Sequence, residues 1–232
     1  MTRVLVISDT QFPFHHKDIF SFLEHIRDTY KPDQVVHIGD LVDFHALSDY
    51  PTDPDADSVG LEFEKAQVQI GRLASMFPEV TVLESNHDER FYKRLMKAGI
   101  PRRFWPSYEK LFETPPGWSW KPHIKIDDIV YIHGHQVPSS GGNVMQNAMK
   151  KYMRSIVFGH FHTRFGIDYY ANEDSLMFGM CVGSLIDHKQ YAFNYQSAEI
   201  RKPLIGIGLV DDGIPFLIPM HLNSKGAWRG FL

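Results

Sequence analysis

Val35-Val36-His37-Ile38-Gly39-Asp40-Leu41-Val42-Asp43 decides how the rest of the chain is read. A mostly apolar run suited to a strand buried on both faces enters a Gly-Asp step, so Asp40 is delivered at the strand's carboxyl end without a side chain before it. Open α/β sheets hold their ligands at such ends. Three other strand-like runs finish on a polar residue: Val4 to Ser8 at Asp9, Val80 to Ser85 at Asn86, and Ile129 to Ile132 at His133. A fifth, Ile156–Phe158, runs into Gly159-His160-Phe161-His162. The pattern predicts that these five ends meet around a pair of metal ions, with Asp40 between them.

The intervening residues alternate in period. Lys17–Tyr30 sets Ile19, Phe20, Leu23 and Ile26 on one helical face and stops at Lys31-Pro32. Gln34–Ile38 completes a βαβ unit. Ser48–Ser58, rich in aspartate and proline, reads as a loop; Leu61–Phe77 is helical up to Pro78; Asp88–Lys97 is a helix that opens on acidic residues, as the helix dipole favours. Residues 99–122 break this alternation with five prolines, Trp105, Trp118, Trp120, Arg102, Arg103 and Tyr108, and are expected to lie over one face as an insertion. Beyond them, His123–Ile126 and Ile129–Ile132 suit a hairpin about Asp127-Asp128. Ser139 to Gly142 leads into a helix, Asn143–Met153. The strands Ile156–Phe158, Ile167–Tyr170, Ser175–Val182, Ile205–Val210 and Pro215–Pro219 follow, with Asp211-Asp212-Gly213 as a turn between the last two.

The 232 residues, 43% apolar, are enough for one domain spanning 1–232. A net charge of −4 speaks against a bulk positive field for nucleic acid, while leaving room for a local basic patch. The single cysteine, Cys181, excludes an internal disulfide framework and fits a reducing, cytoplasmic compartment. The apolar run at the amino terminus is too short for a secretory core, and no stretch reaches the roughly 18 apolar residues of a membrane span, so no membrane partner is expected. Oligomeric state is not legible. Thirteen histidines are the compositional oddity, since histidine is the commonest metal ligand.

Each strand end has its own chemistry. Asp9 and Gln11, two residues apart, share a face in an extended segment and could chelate one ion. Asp40 and Asp43 lie about one helical turn apart; a carboxylate can bridge two cations, so one could bridge while the other orients a neighbour, or either could cap a helix. At Asn86-His87-Asp88 an amide oxygen can ligate, His87 can protonate a leaving oxygen, and Asp88 can hold its ring. His160 and His162 project to one side after a glycine that permits close backbone approach. His133 directly ends its strand, whereas His135 is as well suited to a merely polar role. His15, His16 and His45 could line a pocket.

Taken together, Asp9-Thr10-Gln11, Gly39-Asp40-Leu41-Val42-Asp43, Ser85-Asn86-His87-Asp88, His133 and Gly159-His160-Phe161-His162 resemble the ordered motifs of the calcineurin-like metallophosphoesterase superfamily. The match runs from residue 4 to about residue 183. The resemblance implies an α/β fold, a four-layer αββα sandwich of two mixed β-sheets flanked by helices. It implies one divalent metal on Asp9, Gln11, Asp40 and His162, and a second on Asp40, Asn86, His133 and His160. His87 then takes the acid and substrate-binding place, oriented by Asp88, and Asp43 supports the ligands without being one. The implied chemistry is phosphoester hydrolysis by a water bridging two metals about 3.5 Å apart.

Two positions depart from the family pattern. Gln11 stands where most members have histidine; its amide oxygen is a harder, weaker ligand, which favours Mn²⁺ or Mg²⁺ over Zn²⁺, with Fe²⁺ and Ni²⁺ compatible. A similar Asp-x-Gln occurs in manganese-dependent pyrophosphatases of the superfamily. Ser85 replaces a glycine, which is harmless provided that the turn needs no positive φ. Substrate is less legible. Arg102, Arg103, Trp105 and Tyr108 combine cations with stacking faces, as a nucleotide or single-stranded nucleic acid requires; the plainer alternative is a satellite aromatic cluster serving stability. The expected activity is hydrolysis of a phosphodiester or phosphomonoester of nucleotide type. A DNA nuclease and a protein phosphatase are the competing enzymes, and a catalytically lapsed protein-binding scaffold is the competing non-enzyme.

Overall fold

A computed structural model describes residues 2–50, 52–140, 142–190 and 202–231. Its strands are β1 (Arg3–Ile7), β2 (Gln34–His37), β3 (Val80–Leu83), β4 (Trp118–Lys121), β5 (Ile124–Ile126), β6 (Ile129–Tyr131), β7 (Ile156–Phe158), β8 (Phe165–Ala171), β9 (Leu176–Val182), β10 (Gly206–Asp211) and β11 (Ile214–Pro219). Its α-helices are α1 (Ile19–Tyr30), α2 (Val59–Met76), α3 (Arg90–Lys97), α4 (Tyr108–Phe112) and α5 (Val144–Tyr152). One sheet has six strands in the order β11-β10-β1-β2-β3-β4, the other five in the order β5-β6-β7-β9-β8. Both are mixed: β1 to β4 are mutually parallel with β10 antiparallel to β1, and β6, β7 and β9 are parallel between antiparallel edges.

Alternation along β1 builds the layers. Leu5 and Ile7 point to α1 and α2, joining Phe20, Leu23, Ile70 and Leu73. Val4 and Val6 point the other way, into an apolar layer shared with Tyr131, Val157, Met180 and Val182 of the second sheet. That sheet's far face packs Ile156, Phe158 and Cys181 against Val144, Ala148 and Met149 of α5. Helices, sheet, sheet and helix follow in turn, the four-layer αββα arrangement. Each fully buried large aliphatic or aromatic side chain contributes about 1.5–3 kcal/mol to holding the layers together.

The helices begin where local chemistry starts them. Ser58 caps α2 by accepting from the Leu61 N–H, and Asn143 caps α5 by accepting from the Met145 N–H. Asp127 and Asp128, at φ 48° and 64°, form the tight turn between β5 and β6.

The 99–122 stretch is not wholly an insertion. Trp118–Lys121 pairs in parallel with β3 as the edge of the six-stranded sheet, and Trp118 is buried with its Nε1–H donating to Phe77 O at 2.9 Å. Phe112 and Trp118 belong to the main helix-facing core instead of a satellite cluster. Only residues 99–117 leave the sheet framework.

Candidate metal centre

Parallel pairing of β1, β2 and β3 brings Asp9, Asp40 and Asn86 to one edge of the first sheet, and parallel pairing of β6 and β7 brings His133 and His160 to the facing edge of the second. Two glycines let the edges close. A Cβ on Gly39 would lie 2.6 Å from Ser85 Cβ and 2.8 Å from Leu83 O, and one on Gly159 would fall on the Ser8 hydroxyl. At the centre itself Asp9, Gln11, Asp40 and His160 have φ of 48°, 42°, 51° and 66°. The left-handed region costs an L-residue roughly 1–2 kcal/mol, so strain is concentrated at this edge and must be held by its surroundings. The holding bonds are explicit. Asp9 N donates to Gly39 O (3.1 Å), Gln11 N to Asp40 O (2.9 Å), Asp40 N to Ser85 Oγ (2.8 Å), and His160 N to Asp9 Oδ2 (3.0 Å).

The side chains converge. Asp40, His133 and His160 form one group and Asp9, Asp40 and His162 another, each with ligand atoms within 4.8 Å of one another and with Asp40 in both. His133 Nε2 lies 2.9 Å from Asn86 Oδ1 and 3.3 Å from Asp40 Oδ1, and Gln11 Nε2 lies 3.3 Å from both Asp40 Oδ2 and His162 Nε2.

His133 Nδ1 sits 2.9 Å from Ile38 O and must carry the proton there. Nε2 is turned on a carboxylate and an amide oxygen, both acceptors, so positive charge must stand among these atoms, as a proton on Nε2 or as a metal ion in its place. Such a set is satisfied by a cation among its atoms. Gln11 Oε1 is buried without a hydrogen-bond partner among the described residues, and turning the amide over would set this oxygen toward Asp40 and His162 as a ligand. The residues present therefore fit two divalent ions.

Electrostatics agree. Burial would raise Asp9 and Asp40, but the facing imidazoles, His162 for Asp9 and His133 for Asp40, hold both carboxyls below their ordinary range. Burial pushes His160 down to about 4, leaving it neutral. Burial would also lower His133, yet the facing Asp40 carries it up to about 9, marking the spot where positive charge is wanted. Deprotonated carboxylates and a neutral imidazole are the forms that bind metal.

The assignment of Asp88 as partner of His87 is corrected. The Asp88 carboxylate is buried and accepts from Ser85 Oγ (2.8 Å), Val42 N (3.1 Å) and Leu41 N (3.4 Å). It braces the loop that carries Asp40. Asp43 does the orienting: its carbonyl accepts from His87 Nδ1 at 2.9 Å, and its Oδ1 lies 3.6 Å from the same atom. His87 Nε2 is 3.8 Å from Asp40 Oδ2, and although burial alone would lower the ring, the two aspartates hold it above its ordinary value.

Sequence reasoning missed Arg90, whose Nη1 binds Asp43 O (2.8 Å) and Asp43 Oδ1 (3.1 Å) while Nη2 lies 3.3 Å from His87 Nε2. Its three-residue spacing from His87 was the available signal. Ser85 is outside the left-handed region and supplies the hydroxyl that holds both Asp40 and Asp88.

The proposed substrate surface is not assembled. Arg102 and Arg103 lie over Trp105 and Phe104, 5.6 Å and 4.9 Å from the ring centres, and Tyr108 is packed among Tyr92, Phe112 and Trp120. Tyr108's faces are already occupied, which removes it as a stacking platform. His135 is exposed beside His133, their ring centres 5.5 Å apart; His15 is wedged between Phe12 and Phe20.

A family model described as calcineurin-like phosphoesterase matches residues 2–189. The chain belongs to the calcineurin-like phosphoesterase family. Membership supports a metal-binding hydrolase acting on a phosphoester. The Gene 54 protein of Mycobacterium phage D29 is 29% identical over 218 residues, covering 81% of this chain and 80% of that protein. Vps29 of Chaetomium thermophilum aligns over 99% of this chain and 94% of its own at 13% identity and a TM-score of 0.49. YfcE, a phosphoesterase from E. coli, aligns over 98% and 96% at 13% identity and 0.48. Among the described residues, no helix is long and apolar enough to cross a membrane.

Proposed function

We propose that this phosphoesterase is a dinuclear enzyme that hydrolyses a phosphodiester or phosphomonoester of nucleotide type. The observation that carries the reading is the buried set of acceptor atoms turned on one another around Asp40, which a pair of cations would satisfy. Asp9, Gln11, Asp40 and His162 would hold one ion and Asp40, Asn86, His133 and His160 the other, with Mn²⁺ best suited to the amide oxygens of Gln11 and Asn86. Ions there supply Lewis-acid neutralisation of phosphoryl charge and acidify a water.

The chain's own residues do the rest. Ile38 O fixes the His133 tautomer so that Nε2 faces inward. Asp43 fixes His87 at Nδ1, which leaves Nε2 at the Asp40 side of the cluster to give a proton to the leaving oxygen. Arg90 ties down Asp43 at both its carbonyl and Oδ1, so the group that supports the proton donor is itself held.

Metal analysis after Mn²⁺ loading, paired with hydrolysis of bis(p-nitrophenyl) phosphate and p-nitrophenyl phosphate, tests this. The expected result is two ions per chain and turnover that EDTA abolishes and Mn²⁺ restores. The His87→Ala variant should lose at least about tenfold in kcat with its metal content unchanged. A protein that takes up no metal and turns over neither ester would be a scaffold, and a single ion would replace the dinuclear scheme.

A further inference from the structure

The described residues hold a second concentration of charge, and it borders the first. A cavity of about 180 Å³ lies between α3 and the loop that follows a 3-10 turn at His45–Leu47, and Asn86 of the metal centre is part of its wall. α3 contributes Arg90, Lys93, Arg94 and Lys97, at the i, i+3, i+4, i+7 spacing that puts them on one helical face. Asp49, paired with both Arg94 and Lys97, is the one acid among the described residues lining it, so the four cations leave the wall itself with an excess of positive charge on a chain whose net charge is −4. Tyr50, 80% exposed, completes the wall with an open ring face.

The arginines are fixed in advance. Arg94 Nε donates to Leu47 O at 3.0 Å and Arg90 Nη1 to Asp43 O at 2.8 Å, so ordering them for a ligand costs little side-chain entropy. Lys93 and Lys97 are 51% and 57% exposed and pair with Glu89 and Asp49. Exposed pairs of this kind are weak, so an incoming phosphate can displace the carboxylates. From Arg90 to Lys97 the face runs about 10 Å along the helix axis. A triphosphate bunches its charge beside the first phosphate, whereas a strand repeats charge along such a length. The narrow cavity suits one backbone and not a duplex.

We propose that this groove binds the sugar-phosphate backbone of a single-stranded nucleic acid, with the phosphates flanking the metal centre along Lys93 and Lys97 and a base on Tyr50. The position of the scissile ester rests on the phosphoesterase reading; the binding itself does not.

Anisotropy of fluorescein-labelled decathymidylate on the full chain between 50 and 200 mM NaCl tests it directly. The Lys93→Ala/Lys97→Ala double variant should bind at least about tenfold more weakly at the low-salt end, and the slope of log K against log salt should flatten by about 1.4, the share of two phosphates on a single strand. Tyr50→Ala should weaken binding about fivefold or more with the slope retained. Lys125→Ala, a half-exposed lysine on β5, should bind as the parent does. Wild-type affinity in the double variant, or an equal loss in Lys125→Ala, would overturn the proposal, as would an equal loss of thymidine triphosphate affinity in competition. If neither aryl ester is hydrolysed while these binding effects hold, it is the phosphoesterase reading that fails.

Discussion

The Asn86 half of the centre and the Gln11 half share Asp40 but treat their polar atoms differently. In the Asn86 half Ile38 O holds His133 Nδ1, and Nε2 faces two oxygens, at 2.9 Å and 3.3 Å, with the ring carried, against burial, up to about 9 by Asp40. In the Gln11 half the amide brings its own donor to Asp40 Oδ2, His162 Nε2 lies 3.0 Å from Asp9 Oδ1, and Gln11 Oε1 has no partner among the described residues. A metal ion would take the place of the His133 proton in one half and would need the Gln11 amide turned over in the other. On the proposed dinuclear reading the Asn86 half offers two imidazoles and the Gln11 half one, so the Gln11 half is expected to fill second.

Breaking the shared ligand should have the largest effect. In Asp40→Asn the bridging charge is lost from both halves, and metal analysis should find less than one Mn²⁺ per chain. Loss of a neighbour behind a ligand typically costs 10–100-fold, so loss of this ligand should lower kcat/KM by at least about 10³-fold. Two ions retained at full occupancy would remove Asp40 from the bridging position.

Sharpening the comparison needs a change in one half only. Gln11→His replaces the amide by an imidazole. Titration of Mn²⁺ and Zn²⁺ by calorimetry should show two unequal sites in the parent, and the variant should tighten the weaker one by about tenfold, more for Zn²⁺ than for Mn²⁺. An unchanged gap between the sites would mean that Gln11 is not what loosens the first half.

The strand ends were legible because each is local: an apolar run and a polar residue after it, with a glycine between them at two of the five. Gly39 and Gly159 carried that signal, since their missing Cβ atoms are what the facing edges need. The four layers were implied by the family motifs and follow in the structure from the two-sided burial of β1. What escaped depends on direction after the strand has ended. Spacing put Asp88 next to His87, but the turn at residues 86–89 swings its carboxylate back to Leu41 and Val42, and Asp43 arrives from the loop after β2. β4 was hidden by its tryptophans and by the prolines on either side, Pro115, Pro116 and Pro122, although Trp118-Ser119-Trp120-Lys121 alternates as an edge strand should. The basic face of α3 is visible as spacing, but only the fold sets it beside Asn86.

Ser85 offers the smallest and most local break. Its buried hydroxyl accepts from the Asp40 N–H and donates to Asp88, bracing the left-handed turn at Asp40 from which both halves hang. Ser85→Ala leaves that N–H and one carboxylate oxygen short of a partner, a cost of about 1–3 kcal/mol. For a domain of this size each kcal/mol lowers Tm by about 2–4 °C, so thermal melting should show a drop of several degrees. Because Asp40 is common to both halves, affinity for the two ions should weaken together, unlike in Gln11→His. Calorimetry that showed one site weakened and the other intact would place Ser85 in a single half and separate the bracing of Asp40 from the sharing of it.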